Sequence, residues 1–579
     1  MLHSLANHKW AIFIALVIAV IAAYPQIFFH YDIKPDYRGI DIIGAAEDEF
    51  AFLTRVREVQ DGHPTLSSPY HKEGKDTPYL FMPLAPMMVA YLGKIFSLDF
   101  NNTILLSRFF FPFVVFLIIY GFLLLLTKEK LTAIAISAAF LLLNSLFNTK
   151  ALQLLSGQSP ATNYLTLTWP VNPVLTWFFF FAFLLFFWLF LERKQWRWGI
   201  VSTVLLGLSF YSYLYTWTFL YVFCGVLLLI FLFQKKWPDV KRIGLVLLGA
   251  FLIAIPYLLN VYRALIHTNP SLEEMSKRHG LIENPVPVLG FLVPSLFIIF
   301  LLFFPRKWRE RYFFSLALLI TPFIVLNQQL ITGINLSSGH YHWFFHKPLA
   351  MIFLLIIFFS YLSQKKWEFL RKLSAILLIT ASIGLGLFIQ NTSYEANKSE
   401  AIYYQRYGPI VDWLNANAQK EEVVFANADI SNLIVIYTPL NVFHVMPEIV
   451  TISFAASEDR LLNTLFLLYR LDGVGEDEAQ EVFFKDRAQI SWSIYGIYYR
   501  ENAGAYANIP DEVIQDIVQK YQESFSFSTA DFLYNLWNKY QVNYLIWDKE
   551  QNPQWHLDQY QFLKKAADIG DFTIYQILQ

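Results

Sequence analysis

Cysteine is almost absent from this chain. Cys224 is the only one in 579 residues, so no disulfide forms within the chain, and its stability has to come from packing. Charge is also scarce, at 15% against 56% hydrophobic residues, a balance too apolar for an ordinary soluble enzyme. The long apolar runs are nearly free of charge and no internal repeat is present, which argues against a transporter or flippase, whose spans carry ionisable groups near the midplane. The C-terminal third has no nucleotide-binding loop and no cluster of metal ligands.

What the sequence has instead is a series of apolar runs of about 20 residues, long enough to cross a hydrocarbon core of roughly 30 Å as helices. About 11 spans are predicted, over 10–29, 104–126, 131–147, 174–191, 198–213, 215–233, 243–260, 286–304, 312–330, 347–362 and 373–390. The stretch 83–98 is amphipathic and is expected to lie along the interface. The first run is longer than the core of a cleavable signal and lacks a small-residue cleavage site, so it is read as an anchor.

Lys and Arg in short connectors resist transfer across the membrane and therefore orient it. Five alternate connectors, beginning at Thr127, Glu192, Gln234, Pro305 and Ser363, hold 17 Lys and Arg, whereas the intervening ones hold only Lys150, Arg263, Lys277 and Arg278. This asymmetry predicts a cytoplasmic N-terminus and places residues 31–103 and everything after 391 outside; the expected location is a prokaryotic plasma (inner) membrane. Residues 391–579 carry 13 Lys and Arg against 26 Asp and Glu, an acidic balance that excludes nucleic acid as a partner.

The expected architecture is therefore a polytopic all-α helix bundle over 1–390 with a mixed α/β extracytoplasmic domain over 391–579. In that domain 412–418 reads as the end of a helix, EEVVFAN and NVFHV as strands, ISNLIVIYT as a helix or strand, and NYLIWDK and FTIYQIL as late strands. Acceptor binding, covering of the membrane site and a structural cap are all open roles for it.

The first outer loop, 31–103, is the most informative segment. In GAAEDEFAFLTRVREVQDGHP, Glu47, Asp48 and Glu49 stand together at a predicted helix start, with Phe52, Val56 and Val59 at helical spacing as a stripe for the membrane surface. Carboxylates at a helix start are stabilised by its dipole whatever their function. Their place just beyond a span, over a bundle, is also where the head group of a membrane-embedded donor would emerge. Glycosyl transfer to a hydroxyl needs a base for the acceptor proton and positive charge where phosphate departs.

Cationic candidates are Arg108, at the outer start of the second span, and SSGHYHWFFHKP, which carries His340, His342, His346 and Lys347. Arg108 reads equally as a snorkelling anchor. The histidines suit interface lining, phosphate contact or a metal, and a divalent ion such as Mg or Mn is permitted but not required.

These residues resemble the GT-C glycosyltransferases, particularly protein O-mannosyltransferases and lipid A aminoarabinose transferases. The resemblance lies in Asp48-Glu49, Phe52 and Arg57-Glu58 after the first span, the Pro-rich PYLFMPLAP, Ser107-Arg108-Phe109, and His342-Trp343 with Pro348. Two departures are plain: Lys75 is out of register with the Lys that often precedes the Pro-rich segment, and His342 stands where Arg is usual. The resemblance implies a polyprenyl-phosphate sugar donor, a lipid, glycan or protein acceptor, and inverting single displacement. By the same resemblance Asp48 is the base, supported by Glu49 with Glu47 nearby, and Arg108, Lys347 and His342 hold the departing phosphate. An oligosaccharyltransferase-like enzyme is the alternative, for which Trp547-Asp548 is a lone trace.

Overall fold

The computed structural model describes residues 7–44, 47–75, 77–79, 82–143, 163–267, 278, 287–288, 290–305, 309–334, 336, 338–364, 367–445, 456–496, 499 and 509–578. Each of the expected spans falls on a helix: Lys9–Asp32, Phe100–Thr127, Lys130–Leu143, Val174–Arg193, Trp196–Ser209, Leu214–Phe233, Trp237–His267, Leu292–Phe303, Arg309–Val325, Lys347–Gln364 and Glu368–Tyr403. Parts of the predicted spans 131–147 and 286–304 lie outside the described residues. Among the described residues seven helices are long and apolar enough to cross a membrane, and the chain is an integral membrane protein. Trp10, Phe13, Leu252, Phe369 and Leu377 are exposed on these helices, the side chains that lipid would cover.

Local chemistry sets several helix limits. The Asp99 carboxylate accepts from the Asn102 amide and caps the second spanning helix, while Lys128 and Lys194 end two helices in the left-handed region. The last spanning helix, Glu368–Tyr403, continues past residue 390 and, after a short 3-10 turn, into Gly408–Asn417, so bundle and C-terminal domain are joined by continuous helical chain.

The C-terminal domain is built on a five-stranded sheet in the order β2-β1-β3-β5-β4, with β1 Val423–Phe425, β2 Asn441–Val442, β3 Val542–Asp548, β4 Leu563–Ile569 and β5 Phe572–Ile577. β1 pairs in parallel with β2 and β3, whereas β5 pairs antiparallel with β3 and β4. The ISNLIVIYT stretch, open between helix and strand in the sequence, is the helix Ala428–Tyr437 that connects β1 to β2. Asn427 caps it, and its buried face includes Leu433, Ile434 and Tyr437.

This domain is fastened to the segment after the first span. The Val442 amide donates to the Tyr70 carbonyl at 2.9 Å, continuing the sheet edge into that segment. The Gln405 side chain bonds both the Arg38 amide, at 2.8 Å, and the Ile40 carbonyl, at 2.7 Å. Gly408 sits so close that a Cβ there would lie 2.3 Å from the Arg38 carbonyl oxygen. The seam also buries His71 and His444 beside Arg460, with Lys75 and Glu73 facing His71.

The stripe on the helix Glu47–Gln60 corrects an expectation. Val56 and Val59 are fully buried instead of lying on lipid, because this helix packs between the amphipathic helix Leu84–Ile95 and the domain helix Ala428–Tyr437. The helix Leu84–Ile95 is the more exposed of the two, with Tyr91 and Ile95 open at 43% and 75%.

Two outcomes follow from the seam. Gly408→Val should lower stability by about 1–3 kcal/mol through overpacking against Arg38, read as a drop in melting temperature of the purified protein. Burial and Arg460 push the His71 and His444 imidazoles down to about 4 and about 3, so below the ordinary value of 6.5 the unfolded chain takes up protons that the folded one refuses. Stability should therefore fall as pH drops from 6.5 toward 4, by up to about 1.4 kcal/mol per pH unit for each imidazole, and a double His→Phe variant should flatten the profile in thermal melts.

Candidate active site

The helix Glu47–Gln60 opens with the three acids. The side chains of Glu47 and Asp48 lie outside what the structure describes, and the next carboxylate, Glu49, turns inward and is 8% exposed. Its Oε2 accepts from the Gly44 amide at 3.0 Å, and its Oε1 is paired with the Arg108 guanidinium. Gly44 is suited to this approach, since a Cβ there would stand 3.0 Å from the same carboxylate oxygen.

Arg108 is 2% exposed in the second spanning helix, so it is not a snorkelling anchor. Each of its other two nitrogens also has a partner: Nη1 gives to Gln26 Oε1 at 2.8 Å and Nε to the Thr168 carbonyl at 3.0 Å. Removing a guanidinium from water is tolerable only with such a paired carboxylate and further hydrogen bonds. Burial raises the Glu49 carboxyl above the ordinary carboxylate range, against the opposing pull of Arg108 and the Gly44 amide.

The chain of contacts runs further than the sequence suggested. Gln26 gives its amide to Asp41 Oδ2 at 2.9 Å, while Asp41 Oδ1 meets His30 Nε2 at 2.6 Å and the Tyr37 hydroxyl at 2.8 Å. Asp41 is 3% exposed, and its backbone amide donates to the Tyr437 hydroxyl of the C-terminal domain at 2.8 Å. Sequence reading missed Asp41. The available signal was a single carboxylate set among Ile40, Ile42 and Ile43, a polar group that a buried strand of chain keeps only if it has partners.

Glu49 and Arg108 line a cavity of about 230 Å³ together with Gly44, Tyr164, Thr168, Trp169 and Asn397. Asn163, Tyr164, Thr168, Trp169 and Pro170 of its wall belong to the connector TNYLTLTWPVNP, whose polar and aromatic residues read in the sequence either as a sugar-pocket lining or as a common loop. Gln390 pins it, accepting from the Leu165 amide at 3.1 Å and donating to Thr168 Oγ1 at 2.7 Å, and Ser393 donates to the Asn163 carbonyl at 2.8 Å. The Tyr164 hydroxyl is buried with no hydrogen-bond partner among the described residues. The cavity thus offers a paired charge, an unpaired hydroxyl and an indole, a set suited to a polar ring-shaped ligand.

Lys347 and the histidines are not among the residues lining that cavity. They lie on and beside a π-helical turn, His342–His346, that leads into the helix Lys347–Gln364. Its Phe344 carbonyl accepts from Trp177 Nε1 at 2.9 Å, in the first turn of the helix that starts shortly after the cavity wall. Lys347 is 3% exposed, its ammonium lies 4.3 Å from the Trp343 ring centre, and it has no anionic partner among the described residues. His342 and His346 face each other at 3.3 Å, but His340 shares a hydrogen bond with Tyr213 and stacks on Tyr215. Among the described residues no three His, Cys, Asp or Glu side chains gather as a metal site.

The other motif residues have local partners. Lys75 reaches both Glu58 oxygens, at 2.7 and 2.8 Å, and Arg57 pairs with Asp61 at 2.9 Å. Trp547 and Asp548 close the turn after β3: the indole gives to the Asn552 carbonyl at 2.7 Å, and Asp548 accepts the amides of Glu550 and Gln551.

No family model and no curated protein matches the chain. Among solved structures, it aligns with ArnT from Cupriavidus metallidurans bound to undecaprenyl phosphate at 11% identity over 98% of each chain, with a TM-score of 0.48. The apo form of that protein aligns at 12% identity over 99% of this chain and 98% of that one, with a TM-score of 0.46. The apo oligosaccharyltransferase of Archaeoglobus fulgidus aligns at 11% identity over 94% of this chain and 70% of that one, with a TM-score of 0.43. At these values no residue role passes from one chain to another.

The buried pair gives a direct test of its own energetics. Glu49→Gln and Arg108→Gln should each cost about 3–5 kcal/mol by leaving the partner charge uncompensated, and the double variant should lose clearly less than the two together. Thermal or denaturant unfolding of the purified variants measures this, and strict additivity would show that the two side chains do not act as a pair.

Proposed function

We propose that this protein is a glycosyltransferase of the GT-C type, taking a sugar from a polyprenyl-phosphate donor at the membrane face that carries the C-terminal domain. The observation that carries the reading is the cavity beside Glu49 and Arg108, at the start of the acid-bearing helix and at the head of a spanning bundle. There a donor whose lipid lies in the membrane can bring its anomeric carbon to a carboxylate.

In this reading the acceptor hydroxyl attacks the anomeric carbon as its proton passes to Asp48. The new C–O bond forms on the face opposite the breaking one, so configuration inverts, and the bonding electrons leave on the polyprenyl phosphate. Glu49 is engaged at both oxygens, by the Gly44 amide and Arg108, and serves to fix Arg108 and the helix start. Lys347, buried beside the Trp343 indole with no anionic partner among the described residues, is the cation with charge to spare for the leaving phosphate, and His342 adds a hydrogen-bond donor beside it. Arg108, already neutralised by Glu49, contributes to the same potential at shorter reach. The acceptor is a hydroxyl of a lipid, glycan or protein, and the distribution of basic connectors supports a reaction on the extracytoplasmic side of the membrane.

Incubation of the purified protein with a panel of polyprenyl-phosphate sugars should release the lipid phosphate. Asp48→Asn should slow release by about 10²–10⁴-fold with an unchanged melting temperature, and Lys347→Met should slow it too. Release that persists in Asp48→Asn combined with Glu49→Gln would overturn the assignment.

A further inference from the structure

The seam between the first-loop segment and the C-terminal domain encloses a second, larger cavity of about 360 Å³. One side is apolar: Leu461, Leu465 and Leu468 come from one face of the helix Glu458–Leu471, with Phe443 beside them. His71 and His444 face it, 3% and 9% exposed, and their ring nitrogens have no hydrogen-bond partner among the described residues. Asp472 and Asp486 stand on the lining as well; Asp486 accepts from the Tyr469 hydroxyl at 2.9 Å and Asp472 from Trp555 Nε1 at 2.9 Å, which leaves each carboxylate lone pairs to spare.

The one cation among the described lining residues is already paired with a carboxylate. Arg460 gives to Glu73 at 2.8 Å, Thr464 at 2.6 Å and the Phe443 carbonyl at 2.6 Å, and it is sandwiched between the Phe443 and Tyr540 rings at 4.2 and 4.1 Å. An anion would therefore meet two carboxylates and a guanidinium whose charge Glu73 already balances. A hydrocarbon chain would strip water from two imidazoles and two carboxylates without replacing it. A ring with an apolar face and a rim of hydroxyls satisfies both sides, because each neutral imidazole offers one donor and one acceptor and each carboxylate accepts.

We propose that this cavity binds a neutral saccharide, its ring face against Leu461 and Leu465 and its hydroxyls on His71, His444 and Asp486. The site is separate from the transfer site and its occupancy requires neither Asp48 nor Glu49.

Saturation-transfer NMR on the full chain in lipid nanodiscs, with the methyl glycosides of mannose, glucose, galactose and N-acetylglucosamine as probes, tests this. At least one glycoside should receive saturation on its ring protons. The signal should fall at least 10-fold in His444→Phe and in Leu465→Trp, which fills the cavity from the apolar side, and persist in Asp48→Asn. Should His444→Phe fail to fold, Leu465→Trp and Ser493→Trp, each checked by melting temperature, carry the test. The proposal is overturned if no glycoside is saturated, if the filling variants leave the signal intact, or if Asp48→Asn abolishes it.

Discussion

A guanidinium and a carboxylate removed together from water hold the centre of this molecule. Arg108 could not lie 2% exposed among apolar helices without Glu49, Gln26 and the Thr168 carbonyl, and each of those partners comes from a different stretch of chain. Three elements are therefore placed by one side chain: the first spanning helix, the acid-bearing helix and the connector wall. The desolvation cost works in favour of order, since any rearrangement that separates them leaves an unpaired charge in a medium of low polarity.

The spans were legible in the sequence because hydrocarbon imposes a length and a composition that few other environments demand. Several C-terminal strands were also visible, since β3 and β5 are short β-branched and aromatic runs between polar turns. Amphipathicity was less informative. The stripe of Phe52, Val56 and Val59 says that one face of a helix avoids water, but not whether lipid or protein covers it.

Long-range pairing was out of reach. Nothing local to TNYLTLTWPVNP announces that Gln390 fixes it, nor does a lone Asp41 announce His30, Tyr37 and Gln26. Asp48 and Lys347 came from the pattern of acids and bases, yet the cavity beside Glu49 is walled mainly by residues whose individual types are unremarkable in a loop. Chemistry-bearing side chains leave a trace in composition, whereas the surfaces that shape a site are specified by packing.

The hydrogen bond from the Asp41 amide to the Tyr437 hydroxyl joins positions 396 residues apart. Beyond its contribution to the network it sets an order of events during biosynthesis. The early helices can enter the bilayer as they leave the ribosome, but Asp41 acquires this partner only after the bundle has been threaded and the first strand of the late domain translated. A partly made chain would therefore carry Asp41 without the late-domain hydroxyl that completes its surroundings.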